Sequence, residues 1–120
     1  MLNYAILVHN NPTSLIVNQD GYYFIKENDD RIYLFDCDEN NGSDLVLPTD
    51  YNGKQYRIKE FAFRDYNWIR SIKISAGVKD IGRGAFWDCG SLEEITVDSN
   101  STIYTAIDGS LYSKDEKTLV

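Results

Sequence analysis

One pattern of apolar residues occurs twice in this chain of 120 residues. Residues 58–74 and 81–97 carry apolar residues at matching positions, with an offset of 23 residues between the copies. The polar residues between these positions differ, which indicates that the repeat encodes a core. A period of this length is typical of proteins built from stacked repeats. The matched pairs are Ile58/Ile81, Ala62/Ala85, Phe63/Phe86, Ile69/Leu92, Ile72/Ile95 and Ile74/Val97.

The last part of each copy predicts a short strand. Residues 69–74 and 92–97 have the L-x-x-L-x-L spacing of a leucine-rich repeat, and the final two apolar residues of each segment alternate along the strand and face inward. Each copy is therefore predicted to be a strand preceded by a compact turn. A single copy cannot bury its apolar side alone, so the copies are predicted to stack on one another.

The second copy also carries a specific family pattern. The run Ile81-Gly82-x-x-Ala85-Phe86-x-x-Cys89-x-Ser91-Leu92-x-x-Ile95-x-Val97 resembles the BspA-like leucine-rich repeat, I-G-x-x-A-F-x-x-C-x-S-L-x-x-I-x-I-P, with repeats of 23 residues. This surface-protein type occurs mainly in bacteria and in some protists. Segments 45–54 and 100–115 resemble the parts that flank such a repeat. The first copy departs from the pattern, with Lys59 for glycine and Tyr66 for cysteine.

The resemblance implies a β-rich leucine-rich-repeat solenoid with short turns or single-turn helices, an N-terminal β-hairpin cap and a C-terminal hairpin. Residues 1–43 would hold the N-terminal strands and the hairpin cap. Residues 44–97 would hold the repeat rungs, with 58–80 and 81–97 as the clearest. Residues 98–120 would form the C-terminal hairpin, which ends in a strand that is either truncated or covered by a partner.

The flanking segments support this division. Aromatic and β-branched runs at 22–25 and 31–35 surround a polar turn at 27–30, which predicts a hairpin that covers the open edge of the first rung. Leu2–Val8 is interpreted as another strand, and 36–44 as an acidic loop. That loop lacks the glycine and the closing glutamate of an EF-hand, so an EF-hand calcium site is rejected.

The predicted strands near 45–47, 72–74 and 95–97 would lie side by side. Their outward residues Val46, Lys73 and Thr96 would then form one row on the exposed, concave strand face. The candidate binding residues of this face are Arg70, Ser71, Lys73, Glu93, Glu94 and Thr96. Trp68, Trp87 and Tyr66 are candidate exposed aromatic contacts, since each tryptophan aligns with a polar position of the other copy. Packing of each tryptophan against the neighbouring rung is the alternative.

Charge and composition exclude several classes of function. The formal net charge of −7 argues against nucleic acid as a partner and against an anionic membrane surface. Leu2–Val8 is too short to span a bilayer and lacks the features of a signal peptide. The single histidine, His9, has no nucleophile motif around it, and a Cys37–Cys89 disulfide is less favoured than a buried thiol at Cys89. We therefore predict no catalytic residue, no metal site and no cofactor.

These observations predict a non-catalytic interaction module, and the resemblance implies a protein–protein interaction or adhesion role within a larger cell-surface or secreted bacterial protein. What the resemblance implies is a protein partner on a host or neighbouring cell. The open C-terminal edge is a candidate site for edge-to-edge homodimerisation. Two alternatives remain: a carbohydrate-binding module that uses the aromatic residues, and a structural spacer without a ligand of its own.

Overall fold

The computed structural model describes residues 15–27, 31–107, 109–114 and 120. The predicted strand at Leu2–Val8, His9 and most of the turn at 27–30 lie outside these residues. Within them the chain forms ten strands and one short 3-10 helix, η1, and no α-helix. The elements are β1 Leu15–Gln19, β2 Tyr22–Glu27, β3 Arg31–Cys37, η1 Glu39–Asn41, β4 Asp44–Val46, β5 Tyr56–Ile58, β6 Ser71–Ile74, β7 Val78–Ile81, β8 Glu94–Val97, β9 Tyr104–Ile107 and β10 Ser110–Ser113.

The three strands predicted near 45–47, 72–74 and 95–97 form one parallel sheet in the order β4–β6–β8. Leu45 pairs with Ile72, and Ile72 pairs with Ile95, so equivalent positions of successive repeats are neighbours. Along β6 the side chains alternate, with Ile72 and Ile74 buried and Lys73 exposed. This alternation is the one that a half-buried strand requires, and the predicted register is confirmed.

Each repeat also contributes a second strand, which the sequence did not reveal. β3, β5 and β7 are parallel neighbours, and the antiparallel strands β1 and β2 extend the same sheet to give the order β1–β2–β3–β5–β7. Ile58 pairs with Ile81 across β5 and β7. These strands have only three or four residues and contain charged side chains, so a period-2 pattern could not be recognised in them.

The core lies between the two sheets. We call each β5-to-β6 or β7-to-β8 segment, with its connecting turn, a rung. In the first of these rungs the apolar side chains at the repeat positions are at most 1% exposed, except for Ala62. These residues are Ile58, Phe63, Ile69, Ile72 and Ile74. The sequence repeat therefore encodes the packing of one rung against the next.

The turns of the two rungs stack through backbone hydrogen bonds. The amides of Phe61, Phe63 and Asp65 donate to the carbonyl oxygens of residues 83, 85 and 87, over 3.1, 2.8 and 2.9 Å. Both turns bend in the same way, because Phe61 and Gly84 have φ of 58° and 66°, and Asp65 and Asp88 have φ of 65° and 55°. The second turn thus repeats the backbone of the first and lies directly on it.

Gly82 permits this close approach. A Cβ atom at Gly82 would lie 2.4 Å from the amide nitrogen of Glu60 in the preceding rung. Such a distance is shorter than any van der Waals contact, so a side chain there would push the rungs apart. Lys59, at the equivalent position of the first rung, donates its amide to the Leu34 carbonyl oxygen of β3 over 2.9 Å and keeps its side chain.

The β2–β3 hairpin packs against the first rung through aromatic rings. Phe24 lies edge-on to Tyr56 with a centroid distance of 5.1 Å, and its centroid is 5.0 Å from that of Tyr51. The buried Tyr56 hydroxyl donates to the Pro48 carbonyl oxygen over 2.6 Å, and the Ser75 hydroxyl donates to the same oxygen over 2.6 Å. The antiparallel pairing of β2 with β3 agrees with the predicted hairpin.

The predicted acidic loop at 36–44 begins later than expected. Asp36 and Cys37 are the last residues of β3 and are 0% and 1% exposed. The Asp36 carboxylate accepts hydrogen bonds from the Tyr66 hydroxyl and from the Cys37 amide. From the sequence alone, an acidic residue at the end of a strand is predicted to lie in a loop. In the structure the two donors satisfy the carboxylate by hydrogen bonds, so it can be buried at the end of β3.

The C-terminal hairpin of β9 and β10 lies beside β8. The Ile95 amide donates to the Gly109 carbonyl oxygen over 3.0 Å, and the Ile81 amide donates to the Tyr104 hydroxyl over 3.0 Å. The hairpin therefore covers part of the β8 edge, whereas residues 115–119, beside the C-terminal edge predicted as a candidate for homodimerisation, lie outside the described residues.

We expect Gly82→Ala to lower the free energy of unfolding by about 1–3 kcal/mol, because the new methyl group overlaps the Glu60 backbone. Chemical denaturation followed by circular dichroism measures the change. Gly90→Ala is the matched control, since a Cβ at Gly90 meets only the Asn67 side-chain oxygen, at 3.5 Å. Equal stability of the two variants would contradict the close packing of the rungs.

Candidate functional site

The exposed side of the β4–β6–β8 sheet carries the predicted row of outward residues. Val46 pairs with Lys73, and Lys73 pairs with Thr96, so the three side chains occupy equivalent positions on neighbouring strands. All three are exposed, and Val46 is 63% exposed. We call this surface, with the residues that flank the row, the strand face.

The flanking candidates on the strand face contact one another across rungs. The Ser71 hydroxyl donates to the Asp44 carboxylate over 2.8 Å, and the Arg70 guanidinium lies 3.3 Å from the Glu93 carboxylate. Glu94 is exposed and pairs in register with Ser71. Exposed ion pairs contribute roughly 0–1 kcal/mol each, so these groups can exchange their present partners for those of a ligand at small cost. The structure therefore brings together Arg70, Ser71, Lys73, Glu93, Glu94 and Thr96.

Tyr66 and Trp68 occupy a more sheltered position than the strand face. Their rings stack at a centroid distance of 4.3 Å, and both are half-buried against the core. The Tyr66 hydroxyl donates to the buried Asp36 carboxylate, which fixes the ring. Trp68 Nε1 is buried without a hydrogen-bond partner among the residues described. Both rings therefore pack against the core and on each other, and Tyr66 also bonds to the end of β3.

Trp87 is the exposed tryptophan of the pair, with 57% of its surface accessible. It stacks on Phe61 of the preceding rung, with the ring centroids 5.8 Å apart and an interplanar angle of 27°. The Arg64 guanidinium carbon lies 5.7 Å from each of these two ring centroids, within the range of a cation–π contact. We call Phe61, Arg64 and Trp87 the aromatic platform. Of these three residues, only Trp87 was predicted from the sequence as an exposed aromatic contact.

Phe61 holds its place in the platform with a backbone conformation that is unfavourable for a phenylalanine. Its φ of 58° lies in the left-handed region, which costs a residue with a side chain roughly 1–2 kcal/mol. Gly84 has the equivalent position in the second rung, where a Cβ would lie 2.4 Å from the Phe61 ring. The sequence signal that could have identified Phe61 is its alignment with Gly84, since a large apolar residue stands where the other copy has glycine.

A pocket of about 480 Å³ lies beside the platform, at the end of the second rung. Phe86 and Ile95 line it, and both are only half-buried although the equivalent Phe63 and Ile72 are fully buried. The repeat alignment implies that equivalent apolar residues of the two rungs are equally buried. At these two positions, full burial occurs only in the first rung. The full lining is Ile81, Gly82, Arg83, Gly84, Ala85, Phe86, Trp87, Ile95 and Val120.

The two cysteines are thiols rather than a disulfide. The Cys89 thiol donates to the Phe63 carbonyl oxygen of the preceding rung over 3.0 Å. Burial is the main cause that raises the pKa of Cys37 from 9.0 to about 12, and burial also raises the pKa of Cys89. Among the described residues there is no group of three metal-ligating side chains, and none of their helices is long and apolar enough to cross a membrane.

The sequence profile of the BspA-type leucine-rich repeat region matches residues 34–116, with six copies. The chain belongs to this family. The match extends well beyond the two clear copies recognised from the sequence. In this BspA-type chain, the cysteine position of the second rung supplies a hydrogen bond between rungs, whereas Tyr66, at the same position of the first rung, bonds to β3 instead.

Solved structures show the same fold. The chain is similar to a leucine-rich cell surface protein from Faecalibacterium prausnitzii, with a TM-score of 0.58 and 24% identity over 72% of this chain. It is also similar to a leucine-rich repeat protein from Bacteroides capillosus, with a TM-score of 0.57 and 30% identity over 69% of this chain. The matches span 24% and 65% of the lengths of those two proteins. No curated protein matches the chain.

Burial of Cys37 leads to a prediction about alkaline pH. Because the pKa of Cys37 is raised in the folded state, the native protein keeps this proton where the unfolded chain loses it. The stabilisation is therefore fully present below the unfolded pKa of about 9, and the free energy of unfolding falls as pH rises toward 12. We expect iodoacetamide at pH 9 to leave Cys37 unmodified in the native protein and to modify it in urea, as measured by mass spectrometry.

Cys37→Ala is the control for the stability measurement, since it removes the group that titrates. Its free energy of unfolding should decline less steeply above pH 9 than that of the wild type. Rapid native alkylation of Cys37 would contradict its burial at the end of β3.

Proposed function

We propose that this chain is a non-catalytic protein-binding module that contacts its partner through the strand face. The observation that carries the proposal is the exposed row formed by Val46, Lys73 and Thr96 on three parallel strands in register. We further propose that the rungs form a short solenoid, that the N-terminal hairpin caps its first edge, and that residues 44–97 are its binding part.

Rigid strands favour such a surface. The inward residues of β4, β6 and β8 pack in the core or against it, so the outward side chains are held at fixed spacing before any partner arrives. Binding then costs little backbone entropy, which benefits affinity. The outward residues also carry no packing function, and their identity can suit a partner without loss of the fold.

The chemistry of the strand face fits a protein surface of mixed character. Lys73 and Arg70 provide positive charge, Glu93 and Glu94 provide negative charge, and the exposed Val46 provides an apolar contact. Complementary charges orient an encounter and an apolar centre adds affinity, as at other protein interfaces. A nucleic acid or an anionic membrane would instead require a predominantly basic surface.

The proposed location follows from similarity. One structural neighbour is a bacterial cell surface protein, and the chain spans only part of its length. We therefore propose that this module is part of a longer cell-surface or secreted bacterial protein and serves in adhesion to a protein of a host or neighbouring cell.

Photo-crosslinking tests the strand face directly. A benzophenone amino acid placed at position 73 should form covalent adducts with a protein on intact host epithelial cells, identified by mass spectrometry. The same amino acid at Lys26, an exposed lysine of β2 in the other sheet, is the matched control. The double change Glu94→Lys and Thr96→Glu should reduce the adduct at position 73 at least tenfold, because it alters the charge of the face and leaves the core intact.

Equal adducts from positions 73 and 26 would contradict the proposal. Retention of the adduct in the double variant would contradict it as well. Circular dichroism of the double variant checks that the sheet content is unchanged, so that lost binding is not lost folding.

A further inference from the structure

The aromatic platform is an apolar surface that the repeat does not require. Phe61 and Trp87 are 39% and 57% exposed, and they stack on one another in the turns between the sheets. The same turn is formed in the second rung with Gly84 in place of Phe61. Since glycine adopts this left-handed conformation without strain, the turn itself does not require a phenylalanine, and the backbone preference disfavours one. Strain of this kind points to a functional use of the side chain.

Polar groups border the platform. The Arg64 guanidinium lies 3.8 Å from the Asp65 carboxylate, and their side chains are 50% and 65% exposed. This distance is too long for a strong hydrogen bond, and an exposed pair is only weakly held. The guanidinium therefore has N–H donors, and the carboxylate has lone pairs, that a ligand can use.

We propose that the aromatic platform binds a neutral pyranose of a glycan. The C–H face of a pyranose ring stacks on the electron-rich face of an aromatic side chain. Its hydroxyls both donate and accept, so they can bond to Asp65 and Arg64 at once. The charges of these two residues cancel locally, which matches a ligand without net charge.

Other ligands fit this surface less well. An anionic ligand that approached Arg64 would meet the Asp65 carboxylate, and a cationic ligand that approached Asp65 would meet the guanidinium. An apolar side chain of a protein would cover the rings and leave the donors and acceptors of the border without partners, which is unfavourable once water is excluded.

The neighbouring pocket gives the glycan room to continue. Trp87 also lines the pocket of about 480 Å³ at the end of the second rung, together with Arg83. Its volume lies in the range of roughly 300–1,000 Å³ that is usual for ligand pockets. An oligosaccharide would place one ring on the platform and the next toward Arg83, the charged side chain of an otherwise mostly apolar lining. This site is separate from the strand face and does not depend on the protein-binding proposal.

Affinity gel electrophoresis of the full chain tests the proposal. The probes are four neutral polysaccharides, laminarin, xylan, mannan and soluble starch, with polygalacturonate as the anionic comparison. We expect retardation by at least one neutral polysaccharide and none by polygalacturonate. Trp87→Ala should weaken binding at least tenfold, and Phe61→Gly should weaken it severalfold while preserving the turn, as Gly84 does in the second rung.

Trp68→Phe is the matched control, because it changes the half-buried tryptophan and leaves Trp87 as the only fluorescent indole. Its binding should equal that of the wild type, and its emission should change on titration with the retarding polysaccharide. Absence of retardation by all four neutral probes would overturn the proposal. Retardation that persists unchanged in Trp87→Ala and Phe61→Gly would overturn it as well. The same holds if Trp87→Ala reduces only the protein adduct at position 73 and leaves the retardation by polysaccharide unchanged.

Discussion

The hydrogen bonds between successive turns hold this structure together. Amides of Phe61, Phe63 and Asp65 reach the next turn, which lies close enough only because Gly82 has no side chain. This spacing sets the register of both sheets at once, since each turn joins a strand of one sheet to a strand of the other. The burial of Phe63 and Ile72 follows from the same register.

The two proposed sites and the core use different residues within that framework. The inward positions of each strand are fixed by the core, whereas the outward positions and the tips of the turns are not. The proposed protein-binding site lies on outward strand positions, and the proposed glycan site lies at the tips of the turns. Phe61 shows the difference most clearly, because its backbone strain opposes folding while its ring extends an exposed aromatic surface.

Much of the fold could be predicted from residues 58–97. Apolar positions that recur at one offset have to meet in the core, so the β6–β8 register followed directly from the sequence, whereas β4 was placed by its resemblance to the entry rung of the family. The second strand of each rung did not follow from the sequence, because Tyr56–Ile58 is too short to show a period. Burial of Asp36 was also not predicted. Its carboxylate is satisfied by the Tyr66 hydroxyl, and a contact between residues 30 positions apart leaves no local pattern in the sequence.

The candidate sites were predictable to a different extent. The pairing of Lys73 with Thr96 needed only strand alternation and the repeat offset, and Val46 joined the row through the resemblance of its segment to the family's entry rung. The aromatic platform needed knowledge of which turn residue carries a positive φ, because only that conformation brings the Phe61 ring over Gly84 and onto Trp87. A local sequence pattern does not specify this, although the Phe-for-Gly exchange between copies marks the position.

Native-state hydrogen exchange of the turn amides tests the account most directly. If stacked turns hold the rungs together, the amides of Phe61, Phe63 and Asp65 should exchange as slowly as those of the central strand β6. Exchange of these three amides at the rate of an unstructured peptide, while β6 remains protected, would contradict it. In that case the sheets alone would hold the register, and the turns would be passive connections.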